Sequence, residues 1–266
     1  MSTALIGPDD PPPFEALNLE GRAPILITCD HASHAVPKGL DDLGLSIDDL
    51  TRHIGWDIGI AKVVRRMAPA LDAPALLAGY SRLVIDLNRP HDSTRQPGSI
   101  PETSDHTPIP ANAGISPAAA EARAKACFWP YHEKIVEILE GFEAKGVVPA
   151  YIAMHSFTPE IDGFKRPWET GVCYRHDPRI PKPLIEALRD DFDLCVGDNE
   201  PYAIEADSDY GIPVHGEGRG LPHALVEIRQ DLLAGEDDAA RWAGIMTRAL
   251  TKVLADETIR TLKRFV

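Results

Sequence analysis

The chain of 266 residues has four cysteines, Cys29, Cys127, Cys173 and Cys195, and no two of them form a C-x-x-C pair. So few thiols in so long a chain exclude a disulfide framework. All four fall in or near apolar stretches, where a thiol is expected as a small buried hydrophobe. Basic residues are also scarce: 27 Lys and Arg stand against 41 Asp and Glu, a formal net charge of −14. A surface of that sign repels phosphate backbones and anionic lipid, so neither nucleic acid nor a membrane is expected as a partner. No apolar run approaches the ~20 residues that span a bilayer. The first residues lack the basic region and apolar core of a secretory leader, so the expected location is the cytoplasm. A G-x-S-x-G elbow is missing, which argues against a serine hydrolase. A G-x-G-x-x-G fingerprint is missing too, since the glycines at 216–220 are too closely spaced and precede a strand.

What remains is an ordinary globular composition, 44% apolar, long enough for one large α/β domain. Residues 1–20, rich in Pro and Asp at their start, read as a flexible arm, and 21–266 as a single domain. Short apolar runs at 25–29, 75–78, 83–87, 150–154, 171–174, 194–196 and 224–228 read as strands. Helical spacing or capping marks 46–52, 57–71, 116–145, 183–189 and 237–255, with Ser116-Pro117 a strong start and Pro130 a bend. Two long loops rich in turn residues, 91–116 and 199–222, look able to cover something small. Strands alternating with helices imply an α/β fold with a mixed, mostly parallel central sheet and helices on both faces. In such sheets ligands bind outside the carboxyl ends of the strands. Asp30-His31, Asn88-Arg89, His155-Ser156 and Glu227 all fall at or near such ends.

His31 and His155 each follow an apolar run into a strand end, and neutral imidazoles converging from strand ends make a metal site. Either histidine alone is as well explained by a structural hydrogen bond. A third ligand comes from Asp57, at a helix start, or from His34. Arg82, Asp86 and Arg89 interrupt an apolar stretch. Arg82 and Asp86 can be a structural pair, while Arg89 can hold a carboxylate with two parallel hydrogen bonds. Glu227 sits inside an apolar strand, where a carboxylate is costly unless paired or catalytic. Beside a metal it can act as general base and then return its proton.

The succession CDHAS, HIGWDIG, SRLVIDLNRP, MHSFTP and VEIRQDLL, running from Cys29 to Leu232, resembles the N-formylglutamate amidohydrolase family. That family is similar in fold to the zinc carboxypeptidases and to the aspartoacylase and succinylglutamate desuccinylase group. The resemblance implies a carboxypeptidase-like α/β domain with one zinc ion. His31 and His155 then look like zinc ligands. Carboxypeptidase-like enzymes usually carry a Glu three residues after the first histidine. Here that position is His34, and Asp57 is the candidate to replace the carboxylate, with His34 as the alternative third ligand. The Asp86–Arg89 stretch is similar to the D-x-N-R motif of the desuccinylases, in which Asn and Arg grip the substrate α-carboxylate. By the same resemblance Arg82 polarises the scissile carbonyl and Glu227 is the base and acid. His215, in the loop before the Glu227 strand, is either a substrate contact or a surface histidine. The implied reaction is zinc-dependent hydrolysis of the N-acyl amide of an acidic amino acid, such as N-formyl-L-glutamate. The implied partner is therefore a small anionic metabolite. The competing readings are a zinc carboxypeptidase or amidase acting on a peptide or cell-wall fragment, and a non-catalytic binder of an acidic metabolite. The acyl group, the amino acid, the pathway and the oligomeric state stay open at this level.

Overall fold

A computed structural model describes residues 5–91 and 98–265. Its strands, in chain order, are β1 (Phe14–Leu17), β2 (Ile25–Cys29), β3 (Ala75–Ala78), β4 (Thr103–Ser104), β5 (Thr107–Pro108), β6 (Ala150–Phe157), β7 (Glu160–Ile161), β8 (Phe164–Lys165), β9 (Thr170–Cys173), β10 (Val196–Asp198) and β11 (His223–Arg229). The α-helices are α1 (Ile47–Leu50), α2 (Ile60–Ala70), α3 (Pro117–Arg123), α4 (Trp129–Glu143), α5 (Pro181–Phe192) and α6 (Glu236–Leu254). Seven strands form one sheet in the order β1-β3-β2-β6-β11-β9-β10. The pairs β3–β2, β2–β6, β6–β11 and β9–β10 are parallel, whereas β1–β3 and β9–β11 are antiparallel. This is the expected mixed, mostly parallel sheet.

Side chains of a strand alternate between faces, and the two cores divide along that alternation. Ile25, Ile27, Ala150, Ile152, Met154, Val226 and Ile228 pack with α2, α5 and α6 on one face. Leu26, Tyr151, Ala153 and Leu225 pack with α4 on the other. In α2, Ile60, Val63, Val64 and Met67 are fully buried, each stabilising by roughly 1.5–3 kcal/mol. Trp242 anchors α6 in the same core.

Several boundaries differ from the sequence expectation. Phe14–Leu17, placed in the arm, is an edge strand paired with β3; residues 1–4 of that arm lie outside the described residues. The stretch 83–87 is a chain of turns, not a strand. Its backbone donors go to scattered acceptors instead of a ladder: Arg82 N to Gly55 O, Val84 N to Ser81 O, Asp86 N to Ser99 O. The reason is that both edges of β3 are taken, by β2 and β1. Leu83, Val84, Ile85 and Leu87 are all buried regardless, so their apolar run reflects burial and not strand geometry. The strand expected at 150–154 runs on to Phe157 and carries His155 within it, and the one expected at 194–196 lies at Val196–Asp198.

The expected long helix begins as foreseen, with Ser116 Oγ accepting from Ala119 N and Pro117 at the first position. It contains a π-helical turn, Ala124–Phe128, just before α4. Pro130 in the first turn of α4 has no N–H to give and its ring crowds the preceding turn, which favours the wider winding there. Of the loop 91–116, residues 92–97 lie outside the described residues; the rest carries the β4–β5 hairpin. The loop 199–222 contains a π-helical turn, Gly211–Gly216. Cys29, Cys127 and Cys173 are buried thiols, but Cys195 is exposed.

Candidate metal centre and active site

The carboxyl ends of β2 and β6, with the segment leading into α2, bring His31, Asp57 and His155 together. These residues are 3%, 4% and 3% exposed, so their polar atoms must find partners within the protein. Asp57 Oδ2 lies 3.4 Å from His31 Nδ1 and 3.0 Å from His155 Nδ1. One donor atom from each residue falls within a sphere that a single cation can serve. Donors on a tetrahedron with bonds of about 2.1 Å stand about 3.4 Å apart, close to these separations. His31 Nδ1 has no hydrogen-bond partner although it is buried. Two imidazoles and one carboxylate are a donor set that suits a divalent transition metal. The group can therefore hold a metal ion. His34, the other candidate, packs its ring on Trp56 and is not part of the group.

The outer nitrogens of both rings meet carboxylates. His31 Nε2 is 2.8 Å from Asp86 Oδ1, and His155 Nε2 is 3.4 Å from Asp30 Oδ2. Burial alone would lower the pKa of either histidine. For His155, the carboxylates of Asp30 and Asp57 overcome it and push the ring well above the usual value. For His31, burial and Arg82 are outweighed by Asp86 and Asp57, and its value is also raised. Burial would raise Asp57, but the two histidines hold it far below the usual carboxylate range. The two rings thus gather positive charge around an ionised Asp57, and a bound cation would take the place of those protons.

A cavity of ≈ 290 Å³ opens beside them. Arg82, Asn88, Arg89 and Glu227 line it with the metal-binding group, and Tyr202, Ile204 and Asp209 cover it from the 199–222 loop. Glu227 is 6% exposed and its Oε2 has no partner. Its carboxyl is pushed up to about 8, first by burial and then by the charge of Asp57, against the opposing pull of His155. A buried carboxyl with such a value in a cleft is a candidate for proton transfer.

The other expected residues divide. Arg82 donates to Asp86 Oδ2 from Nη2 at 2.6 Å and from Nε at 3.1 Å, so the pairing of these two is present. Its Nη1 also lies 3.7 Å from Asp57 Oδ1. Arg89 donates to Ser208 O at 3.3 Å and stands 3.6 Å from Asp86 Oδ2. Asn88 Oδ1 accepts from Gly211 N at 2.8 Å while Nδ2 donates to Asp209, so its side chain holds the covering loop. His215 is not brought to the cavity. It is buried against His132, whose Nδ1 is 2.9 Å from His215 Nε2. His132 Nε2 bonds Leu87 O, so it carries the proton there and Nδ1 accepts from His215. Burial lowers both, His132 to about 4 and His215 to about 3. Both rings are neutral supports of the site's floor.

Sequence reasoning gave no role to Asp30, Tyr131 or Tyr202. Asp30 adjoins His31 in the chain, a signal that could have been used. Tyr131 lies in a helix a hundred residues away, and only the fold brings its hydroxyl to Asp30.

The family model for N-formylglutamate amidohydrolase matches residues 23–234, four-fifths of the chain and every residue of the cavity named above. The chain belongs to the N-formylglutamate amidohydrolase family. Within it, the chain is 36% identical over 137 residues to the N-formylglutamate deformylase of Pseudomonas aeruginosa. That match covers 47% of this chain and 48% of the relative, so the chain spans about half the length of the curated relative it matches. A solved structure of the gene product Atu2144 from Agrobacterium tumefaciens superposes with a TM-score of 0.90 at 30% identity, covering 96% of this chain and 99% of the other. The N-formylglutamate amidohydrolase of Ralstonia eutropha JMP134 shares the fold, with a TM-score of 0.71 at 19% identity over 93% and 98% of the two chains. Among the described residues no helix is long and apolar enough to cross a membrane.

Proposed function

We propose that this family member is a zinc-dependent hydrolase of the N-acyl amide of an acidic amino acid, with N-formyl-L-glutamate as its foremost substrate. The observation that carries the reading is Glu227: a buried carboxyl with an unpartnered oxygen, beside a metal-binding group and two arginines in one cavity. His31, Asp57 and His155 would hold the zinc ion. Zinc, when bound there, supplies Lewis acidity to the acyl carbonyl and to water.

The remaining work falls to side chains of the chain. Glu227 accepts a proton from the attacking water and delivers it to the nitrogen of the breaking C–N bond, so formate and the free amino acid leave. Arg82, held in place by Asp86, faces the negative charge that develops on the acyl oxygen. Arg89 binds the substrate carboxylate, and Asn88 supports that contact by fixing the covering loop. The cavity volume and the loop over it favour a small metabolite over a peptide. The deformylase named for P. aeruginosa supports formyl as the acyl group.

The test is release of free amine from N-formyl-L-glutamate and a panel of N-acyl amino acids, comparing zinc-loaded with chelator-stripped protein. Zinc-dependent release that is fastest with formyl-glutamate is the expected result. No release from zinc-loaded protein on any member would overturn the reading in favour of peptide cleavage or of binding alone.

A further inference from the structure

Each metal-facing histidine carries a buried carboxylate on its outer nitrogen, and each carboxylate is itself held. Asp86 Oδ1 sits 2.8 Å from His31 Nε2 and also accepts from Asn88 N at 2.9 Å, while its Oδ2 accepts from Arg82. Asp30 Oδ2 sits 3.4 Å from His155 Nε2 without a hydrogen bond between them, while its Oδ1 accepts from the Tyr131 hydroxyl at 2.7 Å. Asp30, Asp86 and Tyr131 are 2%, 3% and 0% exposed, so water does not compete for these contacts. A neutral imidazole has one N–H and one lone pair. A carboxylate accepts and does not donate. At His31, Nε2 meets Asp86 at 2.8 Å and the buried Nδ1 makes no hydrogen bond, so the N–H falls on Nε2 and the lone pair on Nδ1. At His155 the hydrogen bond is instead Nδ1 to Asp57 at 3.0 Å. Nδ1 is the nitrogen that faces Asp57 on both rings.

We propose that Asp86 is a positioning residue that locks His31 in the tautomer with Nδ1 turned inward, and so sets the affinity of the centre for a divalent cation. This rests on the metal reading of the site. The two carboxylates differ in reach. Asp30 leads back to α4 through Tyr131, whereas the second oxygen of Asp86 holds Arg82 and links the cation site to the guanidinium beside the substrate carbonyl. Loss of Asp86 therefore acts twice, on the cation and on the substrate.

The experiment is zinc affinity by competition with a chromophoric chelator, on the full chain and on Asp86→Asn. It is joined by long-range ¹H–¹⁵N spectra of the histidine rings in zinc-loaded wild-type protein. His31 is expected to carry the proton on Nε2. Asp86→Asn is expected to bind zinc about 10–100-fold more weakly, and to lower kcat as well, because Arg82 loses its anchor. An Asn variant with wild-type zinc affinity, or a proton on Nδ1 of His31 in the loaded protein, overturns the inference. Should the variant fail to fold, the wild-type ring spectrum decides. Wild-type protein that binds no zinc would overturn the metal reading itself, and this inference with it.

Discussion

Glu227 lies directly opposite His155 in the parallel pair β6–β11, on the sheet face that packs against α4. The proposed acid–base group and a candidate metal ligand are thus set by strand register, and no loop intervenes between them. A shift of one residue in that register would send Glu227 to the opposite core.

Glu227→Gln keeps the volume and removes the proton transfer. Turnover is expected to fall by about 10²–10⁴-fold, while zinc stoichiometry stays at one per chain, measured by metal analysis of the purified variant. Turnover near the wild-type rate would take Glu227 out of the reaction.

The raised value of Glu227 has a consequence for metal-free protein. Folded protein with a carboxyl near 8 keeps a proton that the unfolded chain releases above about 4.5. The stability this proton contributes is full below pH 4.5 and is lost as the pH rises to about 8, at up to about 1.4 kcal/mol per pH unit. Denaturant unfolding of stripped wild-type protein should therefore weaken across that window relative to stripped Glu227→Gln. Zinc loading should shrink the difference, because a nearby cation favours the ionised carboxylate. Parallel pH profiles of the two stripped proteins would contradict this account.

Zinc at 100 times its Kd should add about 2.7 kcal/mol, a rise in Tm of about 5–10 °C for a chain of this size. His155→Ala should lose that rise along with the metal. An equal zinc-induced rise in the variant, seen by calorimetry, would show that the ion binds elsewhere.

Arg89→Gln removes a charge from the cavity wall without touching the metal-facing residues. KM for formyl-glutamate should rise about 10–100-fold, as loss of a charge-assisted hydrogen bond predicts, with a smaller change in kcat. A selective loss in kcat would instead assign Arg89 to the transition state.

Gly171 faces Glu227 across the antiparallel pair β9–β11, and a Cβ placed there would lie 1.8 Å from Glu200 O. Gly171→Ala must displace the backbone that leads to Tyr202 over the cavity. Destabilisation of about 1–3 kcal/mol is expected, with impaired turnover even in the folded fraction. A wild-type melting temperature would show that the segment yields freely.

The parts of the site that were legible are those set by strand ends. His31, His155 and Glu227 could be found because an apolar run leads into each; Asp57 was read as a helix-start carboxylate, but α2 begins only at Ile60 and Asp57 lies in the segment before it. The stretch 83–87 was misread because full burial and strand pairing leave the same apolar signature; only the occupied edges of β3 distinguish them. His215 was misplaced for a related reason. A histidine in a glycine-rich loop looks exposed, but here the loop winds into a π-helical turn that buries it against His132. Tyr131 and Asp30 form a contact between distant segments, and no local pattern announces it.

The π-helical turn ahead of α4 makes the protein unevenly sensitive to changes of length. Tyr131 and His132 follow that turn and reach Asp30 and Leu87 O from it. Each residue of an α-helix advances the phase by about 100°. A π-helical turn spends one residue more than an α-turn on nearly the same rotation, so losing one alanine from 124–128 would regularise the winding and leave both side chains near their present phase. A residue lost from α4 beyond His132 has no such slack and would swing the buried Ile135 and Leu139 away from the core, so one missing codon should be mild in the first turn and costly in the next.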